Sequence, residues 1–348
     1  MRKPEDFTRR TFLNLSAGAM AGLWLGEAFA QTRPDLSAIR TRADWQRARR
    51  QILDGMQLVM GTLPTAKRER VQFQELEKED LGGFTRTKIK YLAERDDWVM
   101  AYLLVPKNRK RRAPAMLCLH QTIKIGKGEP AGLGGSANLQ YAKELAERGY
   151  VCIAPDYPYL GENTFDPYKN GYVSCTMKGI VNHMRAVDLL QSLPMVDGKR
   201  LGCIGHSLGG HNTLFVAAFD ERIKAMVTSC GFTSAKKYYN GDLTGWSGVR
   251  YMPLIAEKYG KDPARIPFDF PELLVALAPR PLFINAPLRD GNFEVSGVRD
   301  CVEAALPVYD KVFRAKDKLV AVYPDAGHDF PPNIRRQVWD FLDRWLIA

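Results

Sequence analysis

The chain has 348 residues, with 50 Lys and Arg against 39 Asp and Glu, giving a net charge of +11 at pH 7. That length and a 45% hydrophobic content suit one large domain with a substantial core. The basic excess comes without aromatic interleaving or a nucleic-acid motif, so no nucleic-acid partner is expected. The six Cys and five His show neither metal-ligand spacing nor a disulfide framework, and no metal or cofactor is expected.

Residues 1–30 read as an export signal. Thr8-Arg-Arg-Thr-Phe-Leu13 resembles a twin-arginine motif, a Gly/Ala-rich apolar stretch runs from Leu15 to Leu25, and Ala28-Phe-Ala30 fits a small-x-small cleavage site. The stretch is too short and too interrupted by Gly for a stable membrane span. The expected mature protein therefore begins near Gln31, still carries about ten excess positive charges, and resides in the periplasm or outside the cell.

Residues 31–70 read as an N-terminal helical extension, with an amphipathic helix over Arg42–Met60, and residues 71–348 as the main domain. Two or three strands follow, including Thr85–Ala93 and Val99–Val105, then the basic cluster Lys107–Arg112, expected to be a solvated loop. The apolar strand Pro114–His120 leads into Gln121 and Thr122. Gly126–Gly135 is rich in glycine but lacks G-K-[ST] and does not open a helix, so a mobile loop is expected rather than a phosphate cradle. Beyond it, Leu139–Arg148 reads as a helix, Val151–Ala154 as a strand and Met177–Leu193 as a helix. Strands and helices then alternate to a closing helix over Pro331–Leu346. Such alternation predicts an α/β fold with a mainly parallel central sheet and helices on both faces. Residues 231–271 break the pattern, holding Tyr238, Tyr239, Trp246, Tyr251 and Tyr259 among Gly, Asp and Lys. They read as a cap over the site, with Trp246 and Tyr251 as substrate-binding candidates.

Gly205-His-Ser-Leu-Gly209 lies between an apolar run, Arg200–Gly205, and a helix-like run, Gly210–Ala218. A Ser flanked this way at a strand-to-helix junction is a nucleophile elbow, in which Ser207 is held in a strained turn with its hydroxyl above the sheet. The chain order that accompanies such an elbow is Ser, acid, His. His328 is the one His beyond the helix after Ser207, and it follows a strand-like run, Lys318–Tyr323. The acid should follow the preceding strand, Pro281–Asn285, where Asp290 is best placed, with Glu294 and Asp300 as weaker candidates. The oxyanion hole would take the N–H of Leu208 and one from Gln121 or Thr122. Gln121 stands where Gly is usual, and its side chain could contact substrate or pack the loop.

The elbow, Leu119-His120, Ala154-Pro-Asp156, Ala278-Pro-Arg-Pro-Leu282 and Ala326-Gly-His328 together resemble the α/β-hydrolase superfamily. Within it the chain is similar to the dienelactone-hydrolase, acetyl-xylan-esterase and prolyl-oligopeptidase-like branch, from about residue 70 to the C-terminus. The resemblance implies the α/β-hydrolase fold, with the cap inserted after that fold's sixth strand. Dienelactone hydrolases use a Cys nucleophile, so Ser207 argues for ester hydrolysis instead, with a small-molecule or carbohydrate ester as the implied substrate. A serine peptidase acting on short peptides is the alternative within the fold. A non-catalytic binding protein on a hydrolase scaffold is the alternative outside it.

Overall fold

The computed structural model describes residues 32–65, 69–108 and 112–347. The expected signal segment and Gln31 lie outside the described residues, as do Arg109, Lys110 and Arg111 of the basic cluster.

Helix α1, Arg42–Met60, starts at a capping box in which Thr41 and Asp44 satisfy each other's backbone N–H groups. Its Trp45 Nε1 donates to the Val275 carbonyl at 2.9 Å and Arg49 to that of Ala218 at 2.8 Å. The expected extension is thereby docked onto the main domain, with Ile52, Met56 and Val59 in its core.

Three antiparallel strands follow: β1 (Phe73–Asp80), β2 (Phe84–Glu94) and β3 (Asp97–Pro106). Buried and half-buried residues alternate along most of β2 and β3, as a strand with one face on a core requires. The next strands are β4 (Ala113–Leu119), β5 (Val151–Pro155), β6 (Val196–His206), β7 (Ile223–Ser229), β8 (Leu282–Asn285) and β9 (Leu319–Val322). All nine form one sheet in the order β1-β2-β3-β5-β4-β6-β7-β8-β9, parallel from β5 to β9. The expected mainly parallel sheet is thus present. With β1 at its edge, the cap segment follows the seventh strand in chain order.

Every residue of β4 and β5 is buried, which parallel strands require when both faces are covered. Along β4, Ala115, Leu117 and Leu119 join one core, whereas Met116 and Cys118 join the other. The second core is closed by α2 (Tyr141–Glu147) and α8 (Pro332–Leu346). The first is closed by α1, α3 (Cys175–Ser192), α4 (Leu208–Phe219), α6 (Phe270–Leu277) and α7 (Val295–Pro307). A short α5, Leu254–Glu257, lies within the cap segment. All six cysteines are free and buried, and no described helix is long and apolar enough to cross a membrane.

β5 lies on one side of β4 and β6 on the other. The chain therefore reverses its direction of winding at β4, and ligands of such sheets bind outside the carboxyl ends of the strands at that point. Gln121 and Thr122 follow β4 there, and Ser207 follows β6.

Candidate active site

Ser207 joins β6 directly to α4 with φ 53° and ψ −119°. This strained backbone is held by Ser207 N donating to Ser229 O at 2.8 Å and His211 N donating to Ser207 O at 2.9 Å. A Cβ on Gly205 would lie 2.2 Å from the backbone of Gly209, and one on Gly209 would lie 1.8 Å from Leu119 O. Neither position accepts any side chain, so the glycines are what permit the turn. Leu208 opens α4, so the amides of the first helical turn and the positive end of the helix dipole start next to the Ser hydroxyl.

His328 lies on the loop after β9, its Nδ1 2.9 and 3.0 Å from the two oxygens of Asp290. The Asp290 side chain is 1% exposed and that of His328 21%. Burial alone would raise the Asp290 carboxyl. The hydrogen bond and charge of His328, the Asn292 N–H and the Cys230 thiol outweigh it and hold the acid below the usual carboxylate range. The two loops are also strapped together, Leu288 N to Pro324 O and Arg289 N to Ala326 O. Of the other acid candidates, Glu294 accepts from the Ser296 hydroxyl and Asp300 pairs with Lys237. Asp290 is the acid that reaches His328.

On the other side of the site, His120 Nδ1 lies 2.6 Å from the Gln121 carbonyl oxygen, and its Nε2 lies 3.0 Å from Tyr157 N. A carbonyl only accepts, so His120 donates from Nδ1 and accepts at Nε2. This pins the Gln121–Thr122 peptide, whose N–H points opposite to its carbonyl. The Gln121 side chain donates to the buried Glu129 at 3.0 Å. It packs the loop rather than facing a substrate. Thr122 Oγ1 and Tyr251 OH are 3.2 Å apart. Tyr251 also packs beside Leu208, Tyr157 and Leu160, so the structure brings it to the oxyanion candidates.

Trp246 is placed differently. It is 4% exposed and stacks on Tyr238 with ring centroids 4.0 Å apart. It meets the site through Phe293 and His211, at 6.4 and 6.1 Å, rather than with an open face of its own. The expected cap residue Trp246 is thus a buried ring that contacts Phe293 and His211. Phe293 packs against it, half-buried, its ring 5.9 Å from that of His328. Sequence reasoning missed Phe293; its only signal was three residues of separation from Asp290. The glycine-rich loop also departs from expectation. Lys127 is buried and bridges Asp156 at 2.7 Å and Glu162 at 2.6 Å, so the loop is clamped rather than mobile.

His206, Cys230 and His328 each place one ligating atom within 4.8 Å of the others. Asp290 occupies His328 Nδ1, Ser229 Oγ lies 2.9 Å from His206 Nδ1, and the Cys230 thiol reaches the Asp329 carbonyl at 3.4 Å. Those bonds tie each of the three to the scaffold around the site.

A sequence model of the prolyl oligopeptidase family matches residues 136–348. The putative hydrolase YtaP of Bacillus subtilis is 27% identical over 260 residues, 71% of this chain and 83% of that protein. Among solved structures, a glucuronoyl esterase from Solibacter usitatus superposes with a TM-score of 0.70 at 17% identity, covering 87% of this chain and 93% of that one. A putative acetyl xylan esterase from Bacteroides fragilis gives 0.63 at 17% identity, covering 88% and 87%. At these identities the likeness to solved structures establishes the α/β-hydrolase fold.

Proposed function

The chain belongs to the prolyl oligopeptidase family, and on that premise we propose that it is an exported serine hydrolase cleaving a carboxylic ester through an acyl-enzyme. The observation that carries this reading is the strained Ser207 elbow at the sheet's switch point, with the Asp290–His328 pair after the neighbouring strands. His328 takes the proton of the Ser207 hydroxyl as its oxygen attacks the ester carbonyl. Asp290 fixes the imidazole with Nδ1–H toward itself and Nε2 free to act, and stabilises the charged form. The Leu208 N–H and the N–H of Gln121 or Thr122 receive the oxyanion. His328 then returns the proton to the leaving alcohol, and water releases the acyl group by the same steps in reverse order.

The substrate class we favour is an acyl or uronoyl ester on carbohydrate. It is supported by the shared fold of the two esterases above and by an aromatic wall, Phe293 and Tyr251, suited to a sugar ring. Export follows from the reading of residues 1–30. Intact mass of the chain recovered from its host should then start at or near Gln31, and changing Arg9 and Arg10 to Lys should block export. For the chemistry, the test is a panel of short-chain nitrophenyl esters, acetylated xylan and peptide anilides. Turnover of the esters with silence on the anilides supports the reading. Preference for the anilides makes the protein a peptidase, and no turnover with normal ligand binding makes it a binding protein.

A further inference from the structure

β6, β7 and β8 end in polar residues that are register partners, His206 opposite Ser229 and Ser229 opposite Asn285. All three are buried. Apolar side chains would fill these places at lower desolvation cost, so their polarity calls for a role beyond packing. They bond in a row: Asn285 Nδ2 lies 2.9 Å from Ser229 Oγ, which lies 2.9 Å from His206 Nδ1. Both ends of the row reach the His328 loop. Asn285 Nδ2 donates to the carbonyl of Asp329, the next residue, at 3.0 Å. The His206 ring stands edge-on to the His328 ring with centroids 4.8 Å apart.

The orientation of the Asn285 amide follows from these contacts. A carbonyl oxygen only accepts, so Asn285 must present its Nδ2 to Asp329. Its second N–H then goes to Ser229 Oγ, which keeps its own proton to give. Ser229 Oγ reaches Cys230 Sγ at 3.9 Å as a donor and lies 2.9 Å from His206 Nδ1. Ser229 Oγ and His206 Nδ1 share one hydrogen bond, while His206 Nε2 is buried with no partner among the described residues.

We propose that Asn285, Ser229 and His206 form a hydrogen-bond ladder that positions the His328 loop and holds a neutral His206 beside the catalytic base. The inference rests on the reading of Ser207 as nucleophile and His328 as base. When His328 takes the Ser207 proton it becomes a cation, and a second cation against its ring would oppose that step. A charged His206 would carry a proton on Nε2, which is buried with no acceptor among the described residues, so the second charge is disfavoured. Burial acts in the same direction, lowering His206 to about 3. Asn285 meanwhile holds the backbone one residue past His328, so the imidazole keeps its place over Asp290.

Ser229→Ala, Asn285→Ala and the double variant of the full chain test this. The readouts are kcat and KM on 4-nitrophenyl acetate, the rate of Ser207 labelling by a fluorophosphonate, and Tm. Each single variant should lower kcat and the labelling rate together by about 10- to 100-fold, the scale of a small misplacement of a catalytic group, with KM within about twofold. The double variant should be no slower than the slower single, because both cut the same chain. Unchanged labelling, or two losses that multiply, would overturn the ladder. If Asn285→Ala fails to fold, Ser229→Ala, which removes one oxygen atom, decides alone. A parent that is labelled but turns over no ester overturns the ester reading while the labelling rates still judge the ladder. A parent that is not labelled overturns both.

Discussion

Ser207, Asp290 and His328 sit on or just after the ends of β6, β8 and β9, whereas residues 231–271 contain short turns, the four-residue α5 and the start of α6. The first region is specified by backbone constraint. Gly205 and Gly209 have no room for a Cβ, and the acid and His loops are tied by main-chain bonds. The second region is specified by ring packing, with Tyr238, Trp246 and Phe270 in contact and Phe293 of the Asp290 loop packed against Trp246. A site built the first way loses rate when altered. One built the second way loses either stability or substrate preference, depending on which ring is removed.

The sharpest break of that contrast is Ser207→Ala, which deletes one hydroxyl from the constrained region. Esterase activity should fall by at least about 10³-fold with Tm unchanged, and activity within about tenfold of the parent would remove Ser207 from the mechanism. Asp290→Asn should follow with a loss of about 10²-fold or more, since an amide no longer accepts from Nδ1–H on both sides. A normal rate in that variant would pass the orienting role to another acid.

In the packed region the two rings should separate. Trp246→Ala should cost about 3–5 kcal/mol of stability and affect a small acetyl ester and a bulky ester alike. Phe293→Ala should leave Tm nearly unchanged and weaken kcat/KM for the bulky ester by about 1–3 kcal/mol. Identical profiles for the two variants would erase the distinction between lining and backing. Parallel assays on both esters, with calorimetry, decide it.

The smallest expected effect is a pH slope of stability. Burial lowers His183, His206 and His211 to about 3, while the unfolded chain titrates near 6.5. Between those values the unfolded state binds more protons, so the stability is fully present above about pH 6.5 and is lost as pH falls toward 3. Each imidazole adds up to about 1.4 kcal/mol per pH unit to that loss. Urea midpoints at pH 7 and pH 5 should show it, and His211→Phe should flatten the slope by about one imidazole's share. An unchanged slope would mean that His211 is protonated in the folded protein.

Several features were legible in the residues themselves. The helix expected over about Arg42 to Met60 has both a sharp cap and an amphipathic period, and it forms there. β4 and β5 are short apolar runs between turn residues, and the elbow's glycines answer a clash within five residues of chain. Strand order, by contrast, places β4 between β5 and β6 through contacts that no local pattern encodes. Asp290 could be ranked above Glu294 and Asp300 from sequence, but only the folded loops bring its carboxylate to His328.

The aromatic content of residues 231–271 was equally plain, yet Trp246 and Tyr251 could not be told apart. A ring's tendency to leave water is a property of the residue, while the neighbour that covers it is a property of the fold. Tyr238 and Phe293 cover Trp246, and Thr122, from a loop 129 residues away, meets Tyr251. The sequence by itself determined the α/β alternation, the elbow and the order of the triad candidates, because those depend on local sterics and periodicity. The tertiary structure alone decided that Tyr251 meets Thr122, that Gln121 bonds Glu129, and that His206, Ser229 and Asn285 share one register. Those outcomes depend on which distant strands and loops become neighbours.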